Sequence, residues 1–345
     1  MLYKPFGKLP SGKRLERIRE SRAFIDGQFR NVQETSMLAP GASYPKLMYK
    51  FFFGRIPERE PSSPISLVPT DLHQPASDEP TIIWFGHSSY LLTIDGKRIL
   101  VDPVFSGHAS PFSMVGVKEF PFVKRYTIQD FPPIDIILLT HDHYDHLDYE
   151  SIAGLYPRVG KFYTSLGVGE HLEYWGIEKS RVVEFDWWES ATLWPGAELT
   201  AAPSRHFSGR MFNRNQSLWA SFILKTSSLK LYLGGDSGYT QTFQELGEKF
   251  GPFDLAILEC GQYDPMWPLI HMAPEETIQA GLDLKAERVM PVHWGKFALA
   301  NHSWTDPIVR AVKRAGELNV PLLTPAIGQQ QSLMRIGEQQ AWWKD

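Results

Sequence analysis

The sequence predicts an α/β fold in which layered sheets are flanked by helices within one large domain. Three observations lead there. Hairpin-forming β runs come first, strand and helix runs then alternate, and Ile134–Thr140 is almost continuously apolar, as in a strand buried on both faces. The 345 residues, 43% hydrophobic and 21% charged, suit a globular chain large enough for such a core.

Taken in order, residues 1–80 stand apart. They are rich in Pro, Ser and charge, as in Pro57-Glu58-Arg59-Glu60-Pro61-Ser62-Ser63-Pro64. So many prolines argue against continuous helix. We expect an extended N-terminal arm with a short helix near Lys13–Arg22, wrapped on a main body of residues 81–345. The arm's most apolar stretch, Leu47-Met48-Tyr49-Lys50-Phe51-Phe52-Phe53, is too short to span a bilayer. It reads either as a segment packed on the core or as a patch that dips into a membrane surface.

From Thr81 the pattern changes to short β-rich runs at Thr81–Trp84, Ser89–Ile94, Arg98–Val101 and Ile134–Thr140. Asp95-Gly96-Lys97 separates the second from the third, and Asp-Gly readily adopts the positive φ of a tight hairpin. Further runs follow at Lys161–Thr164, Glu198–Ala202, Trp219–Leu224, Leu229–Leu233, Phe253–Leu258 and Arg288–Val292. Helical stretches lie between several of them, at Gly169–Trp175, Thr240–Phe250, Pro274–Leu284 and Pro307–Leu318. Pro274 and Pro307 sit where a first helical turn tolerates proline.

Composition excludes several roles. A net charge of −4 argues against a general nucleic-acid binder. The stretch MLYKPFGKLPSGKRLERIRE holds no apolar run long enough for a secretory signal, so none is expected there, and no window approaches the ~20 apolar residues of a membrane span. The lone Cys260 permits neither an internal disulfide nor a thiolate-rich zinc site. Any metal therefore rests on His and carboxylate, and a cytoplasmic setting, peripheral to a membrane surface if the apolar stretch docks there, is the expectation.

The chemistry is concentrated in Thr140-His141-Asp142-His143-Tyr144-Asp145-His146-Leu147-Asp148, directly after the buried run. One histidine there would read as a solvated or capping side chain. Three His and an Asp within six residues do not. His141 and His143 share a face while the backbone is extended, and Asp145 and His146 swing aside as the chain turns into the next helix. One segment can thus supply two adjacent metals, and imidazole with carboxylate suits zinc, iron or manganese. More ligands are needed, and His206, Asp236 and His293 each follow a β run. Singly, each reads as a satisfied core or turn residue; together with the first motif they read as ligands.

These residues resemble the metallo-β-lactamase-fold hydrolases over about residues 80–335. Within them the chain is most similar to the N-acylphosphatidylethanolamine-hydrolysing phospholipase D family. The similarity lies in Gly86-His87-Ser88, Asp102-Pro103-Val104-Phe105, His143-Tyr144-Asp145-His146-Leu147-Asp148-Tyr149, Glu184-Phe185-Asp186-Trp187-Trp188, Gly235-Asp236-Ser237-Gly238-Tyr239 and His293-Trp294-Gly295-Lys296-Phe297-Ala298-Leu299-Ala300. The resemblance implies a four-layer αββα sandwich with two Zn2+ ions in a cleft at one end of the sheets. It implies His141, His143 and His206 on one ion, Asp145, His146 and His293 on the other, and Asp236 bridging. Catalysis would rest on Asp145, Asp236 and a hydroxide between the metals, since zinc brings the pKa of water from 15.7 to about 7.

Around this set, Asp148 either orients a ligand histidine or caps the following helix. His87 buttresses the cleft. His271 matches a further family histidine in position but not in its surroundings, and Tyr263, Met266 and Trp267 are candidates for lining a lipid path. The implied activity is phosphodiester hydrolysis on phospholipid. Its alternatives are a soluble phosphodiester or lactone on the same site, and a non-catalytic metal- or lipid-binding protein. Phospholipid and membrane contact are the implied partners, nucleic acid is not, and a homodimer is compatible.

Overall fold

Asp95 and Gly96 turn the chain with φ of +51° and +69°, the left-handed backbone that a two-residue hairpin requires. They join β2 (Tyr90–Ile94) to β3 (Lys97–Val101), and β1 (Thr81–Trp84) pairs antiparallel on the other side of β2. The computed structural model describes residues 4–344 apart from 77–78, 114–115, 211–212, 336 and 338; the side chain of Phe52, within the apolar stretch, also lies outside the described set.

The first sheet continues from β3 through three parallel strands: β4 (Ile134–Leu139), β5 (Val159–Ser165) and β6 (Val182–Phe185). A late strand, Gln330–Ser332, pairs antiparallel with β1 and completes seven strands. The second sheet has six. Antiparallel β7 (Ser190–Trp194), β8 (Ala197–Ala202), β9 (Ser221–Lys225) and β10 (Lys230–Leu233) lead into parallel β11 (Leu255–Glu259) and β12 (Val289–Val292).

Period-two alternation assigns each strand's side chains to layers. Ile82 and Trp84 of β1 enter the core between the sheets, with Leu92, Leu199, Phe222, Leu231 and Ile257, while Ile83 enters the core on the outer face of the first sheet. That outer core holds α3 (Tyr149–Leu155) and α4 (Gly169–Tyr174) through Ile152, Leu155 and Leu172. The outer face of the second sheet holds α5 (Thr242–Lys249), α6 (Pro274–Asp283) and α7 (Asp306–Leu318) through Phe243, Ile278 and Ala311. The result is the αββα sandwich expected from the resemblance.

Residues ahead of β1 lie on this body. Helix α1 (Gly12–Glu20) puts Ile18 against Leu166, Leu218 and Trp219, and Arg14 bridges Glu170, Glu173 and Glu184. The expectation of a single arm helix needs correction. A second helix, α2 (Tyr44–Phe53), contains the apolar stretch, and Pro45 in its first turn starts the helix rather than breaking it. Among the described residues no helix is long and apolar enough to cross a membrane.

Candidate metal centre

Every residue of the cluster comes from the C-terminal end of a strand or the loop just beyond it. His87 follows β1, Asp102 follows β3, the His141–His146 segment follows β4, His206 follows β8, Asp236 follows β10 and His293 follows β12. His141, His146, His206, Asp236 and His293 are each at most 3% exposed, while His143 and Asp145 are half-buried. Among the described residues three sets of candidate ligand atoms result, the atoms of each within 4.8 Å of one another: first His141, His143, His206 and Asp236, second His87, Asp145, His146 and His293, and third Asp236, His271 and His293.

Hydrogen bonds fix which ring atoms face inward in the first set. Thr140 Oγ1 donates to Asp102 at 2.7 Å and so accepts from His141 Nδ1 at 3.0 Å, which leaves His141 Nε2 bare. His206 Nδ1 donates to Ile270 O at 2.9 Å, which leaves its Nε2 bare. These two nitrogens lie 2.9 Å and 3.2 Å from His143 Nδ1. One proton cannot satisfy three converging imidazoles. A cation with ligands at ~2.0–2.1 Å can, since tetrahedral nitrogens then sit about 3.3 Å apart. Asp236 Oδ2 closes the set at 3.9 Å from His141 Nε2 and 3.7 Å from His206 Nε2.

Asp236 also faces the second set, with Oδ2 3.1 Å from His146 Nε2 and Oδ1 3.3 Å from His293 Nδ1. Asp145 Oδ2 lies 3.5 Å from the same His146 nitrogen. Among the described residues, His146 Nε2 and Asp236 Oδ1 are buried without a hydrogen bond, an expensive arrangement unless a cation satisfies both. The electrostatics agree. Burial opposes charge on His146, but Asp236, Asp145 and Asp102 outweigh it and pull the imidazole well above its usual range. Burial also opposes charge on Asp236, yet His146 and His293 hold it well below the usual carboxylate range. Burial keeps His141, His206 and His293 neutral, the form in which imidazole binds metal. The residues present therefore fit a pair of metal ions.

Outer contacts hold the cluster in place. His146 Nδ1 meets Asp102 Oδ2 at 2.7 Å, and Asp102 also accepts from Thr140 N at 2.8 Å. His87 Nε2 lies 2.9 Å from Asp145 Oδ2; burial keeps this imidazole neutral, so its N–H donates and fixes the carboxylate. Asp142, within the motif but turned away, takes Gly209 N, Ser217 Oγ and His171 Nε2. Arg210, fully buried, donates to Asp142 O at 2.7 Å and Leu147 O at 2.8 Å, and its other nitrogens reach Pro5 O in the arm. His87, Asp102 and His293 all hold left-handed backbone, with φ of +52°, +41° and +68°.

Among the described residues Asp148 bonds no histidine. It caps α3 by accepting from Glu150 N, and it takes Ser106 N and Ser151 Oγ as well. Asp102 does what was expected of Asp148. Sequence reasoning missed it, although Asp102-Pro103 ends a β run just as Asp236 and His293 do. Of the proposed lipid-path residues, Met266 and Trp267 join Met37, Leu47, Phe207, Ile270 and Ala300 in one apolar cluster. The Phe207 ring packs at a steep angle on His143, with centroids 4.5 Å apart. Tyr263 is turned elsewhere: its hydroxyl bonds Asp306 and its ring stacks on His302 at 4.5 Å. His271 lies beside His206 and His293, with ring centroids 5.0 Å and 5.3 Å away.

Comparison with known proteins agrees with this geometry. Residues 97–294 match the family described as the Beta-lactamase superfamily domain. An uncharacterized protein of Mycobacterium tuberculosis is 38% identical over 333 residues, covering 94% of this chain and 88% of its own. An N-acyl-phosphatidylethanolamine-hydrolyzing phospholipase D of Caenorhabditis elegans is 30% identical over 231 residues, 63% of this chain and 64% of the worm enzyme. A metallo hydrolase from the archaeon Ignicoccus hospitalis has the same fold, with a TM-score of 0.57 at 21% identity over 73% of this chain and 97% of its own. Strand-end His and Asp clusters able to hold metal, sandwich architecture and family match converge: the chain belongs to the β-lactamase superfamily, as a metal-dependent hydrolase of that fold.

Proposed function

We propose that this protein is a two-metal phosphodiesterase acting on phospholipid, of the N-acylphosphatidylethanolamine phospholipase D type. His141, His143 and His206 would hold one ion, Asp145, His146 and His293 the other, and Asp236 both. Zinc is the first candidate, with iron and manganese accepted by the same donors. Such a pair, once bound, ionises water near neutral pH and neutralises a phosphodiester. The bond broken is the phosphate–headgroup P–O bond, releasing a phosphatidic acid and an alcohol of the N-acylethanolamine type.

One observation supports the choice of a lipid: an apolar cluster links the candidate ligands to a helix with exposed apolar side chains. Phe207 touches His143, the Met266–Trp267 cluster continues from Phe207 to Leu47, and Leu47 belongs to α2. The outer side of α2 exposes Tyr44, Met48, Tyr49 and Phe53, the last two at 69% and 72%. Arg214, which donates to Tyr44 OH and stands over Phe207, places a cation beside this path, suited to a phosphate headgroup. The partial relative from C. elegans supports the same substrate class. Tyr263, committed to Asp306, contributes little to the path.

The test is metal analysis of the purified protein, followed by a product screen. N-acylated and plain phosphatidylethanolamine in micelles are compared with a soluble phosphodiester and a lactone. Phosphatidic acid release is expected, and it disappears in a folded His143→Ala protein. Turnover of the soluble substrates alone would remove the lipid reading and leave the hydrolase. Anionic vesicles should retain the wild type and release a Tyr49→Ser/Phe53→Ser double variant whose soluble-substrate turnover, if any, is unchanged.

A further inference from the structure

Three rings of the cluster, His141, His146 and His206, spend one nitrogen on a protein acceptor and keep the other for the interior. His271 follows the same rule. Its Nδ1 lies 3.3 Å from Glu259 Oε2, and Met272 N donates to Glu259 Oε1 at 2.6 Å, so the carboxylate is held as an acceptor from both sides. Glu259 is the last residue of β11 and is 1% exposed. A carboxylate that deep is costly to bury and is kept where it has a partner to hold. The segment is braced again one residue earlier, where Ile270 O accepts from His206.

His271 also adjoins the second half of the centre. His271, Asp236 and His293 offer ligand atoms within 4.8 Å of one another, and the His271 and His293 rings stack at an interplanar angle of 17°. Carboxylate behind, bare nitrogen in front, is the arrangement of a metal-ligating histidine. We infer that His271, held by Glu259, is a further protein ligand of the metal pair, on the Asp236–His293 side, rather than the substrate contact expected from sequence. The inference rests on the two-ion reading above. It would add a donor beside Asp236 and His293 on that side, and a coordination number above four would be better suited to iron or manganese than to four-coordinate zinc.

The experiment loads the full chain with Co2+ and records its visible absorption and its affinity for each equivalent by chelator competition. Wild type, His271→Ala, His271→Gln and Glu259→Gln are compared, with melting curves to confirm folding. Removing His271 should change the absorption band and weaken one equivalent selectively. Glu259→Gln should keep the band and weaken the same equivalent by about 10–100-fold. Folded His271 variants with unchanged absorption and affinities, altered only in KM, would overturn the inference and return His271 to the substrate. Binding of a single equivalent by the wild type would instead defeat the two-ion reading itself, before any variant is considered.

Discussion

His146 Nδ1 lies 2.7 Å from Asp102 Oδ2, with both side chains buried, and the same carboxylate accepts the hydroxyl of Thr140, which in turn takes His141 Nδ1. One residue thus orients a histidine from each half of the centre. Asp102→Asn preserves shape and offers only one accepting oxygen. Metal affinity and turnover should both fall by about 10–100-fold with folding intact, as read by chelator competition and a melting curve.

Asp148 provides the contrast. It lies two residues past His146, yet its oxygens serve Glu150 N, Ser106 N and Ser151 Oγ. Asp148→Ala should destabilise the fold by about 1–3 kcal/mol through loss of the cap and its partners. Metal content, measured by elemental analysis, should stay at the wild-type value.

Arg210 reaches three carbonyls on two segments: Asp142 and Leu147 in the ligand loop and Pro5 in the arm. Arg210→Met would leave these acceptors buried without a donor, so we expect a loss of about 2–4 kcal/mol in denaturant unfolding. The ligand loop should also bind metal more weakly. Deleting residues 1–8 should reproduce part of both effects, because Lys8 N also bonds His171, the partner of Asp142.

Lys296 makes stability depend on alkaline pH. Its ammonium donates to Val104 O at 2.6 Å beside Phe105, and burial pulls it down from 10.5 to about 8. Between those values the unfolded chain binds the proton and the folded chain does not. The penalty is therefore complete below pH 8 and is relieved as pH rises towards 10.5. Relative to Lys296→Met, the wild type should gain up to about 3 kcal/mol across that window, measured as unfolding free energy against pH.

Much of this was legible in the sequence, for physical reasons. Asp95-Gly96 announced its hairpin because few other pairs take two positive φ values. The run ending in Leu139 announced a doubly buried strand, and Pro274 and Pro307 announced helix starts. Strands β6 and β7 did not stand out. Val182–Phe185 is only partly buried and Ser190–Trp194 lies at a sheet edge, so neither carries a strong apolar pattern. Helix α2 was hidden by a proline that begins it. At the centre, the compact His141–His146 motif was legible because its spacing is local. Asp102, Arg210 and Glu259 were not, since their roles depend on partners 44, 68 and 12 positions away that only the fold brings near.

The left-handed backbone at His87, Asp102 and His293 limits what evolution or a library can place there. Such φ values tolerate His, Asp and Asn, suit Gly best and punish β-branched residues. A glycine scan at these positions would strip away the side chain while leaving the chain path comfortable. A valine scan would add torsional strain to the same chemical loss. The gap between the two would tell how much of the centre's shape is written in the main chain rather than in the groups that hang from it.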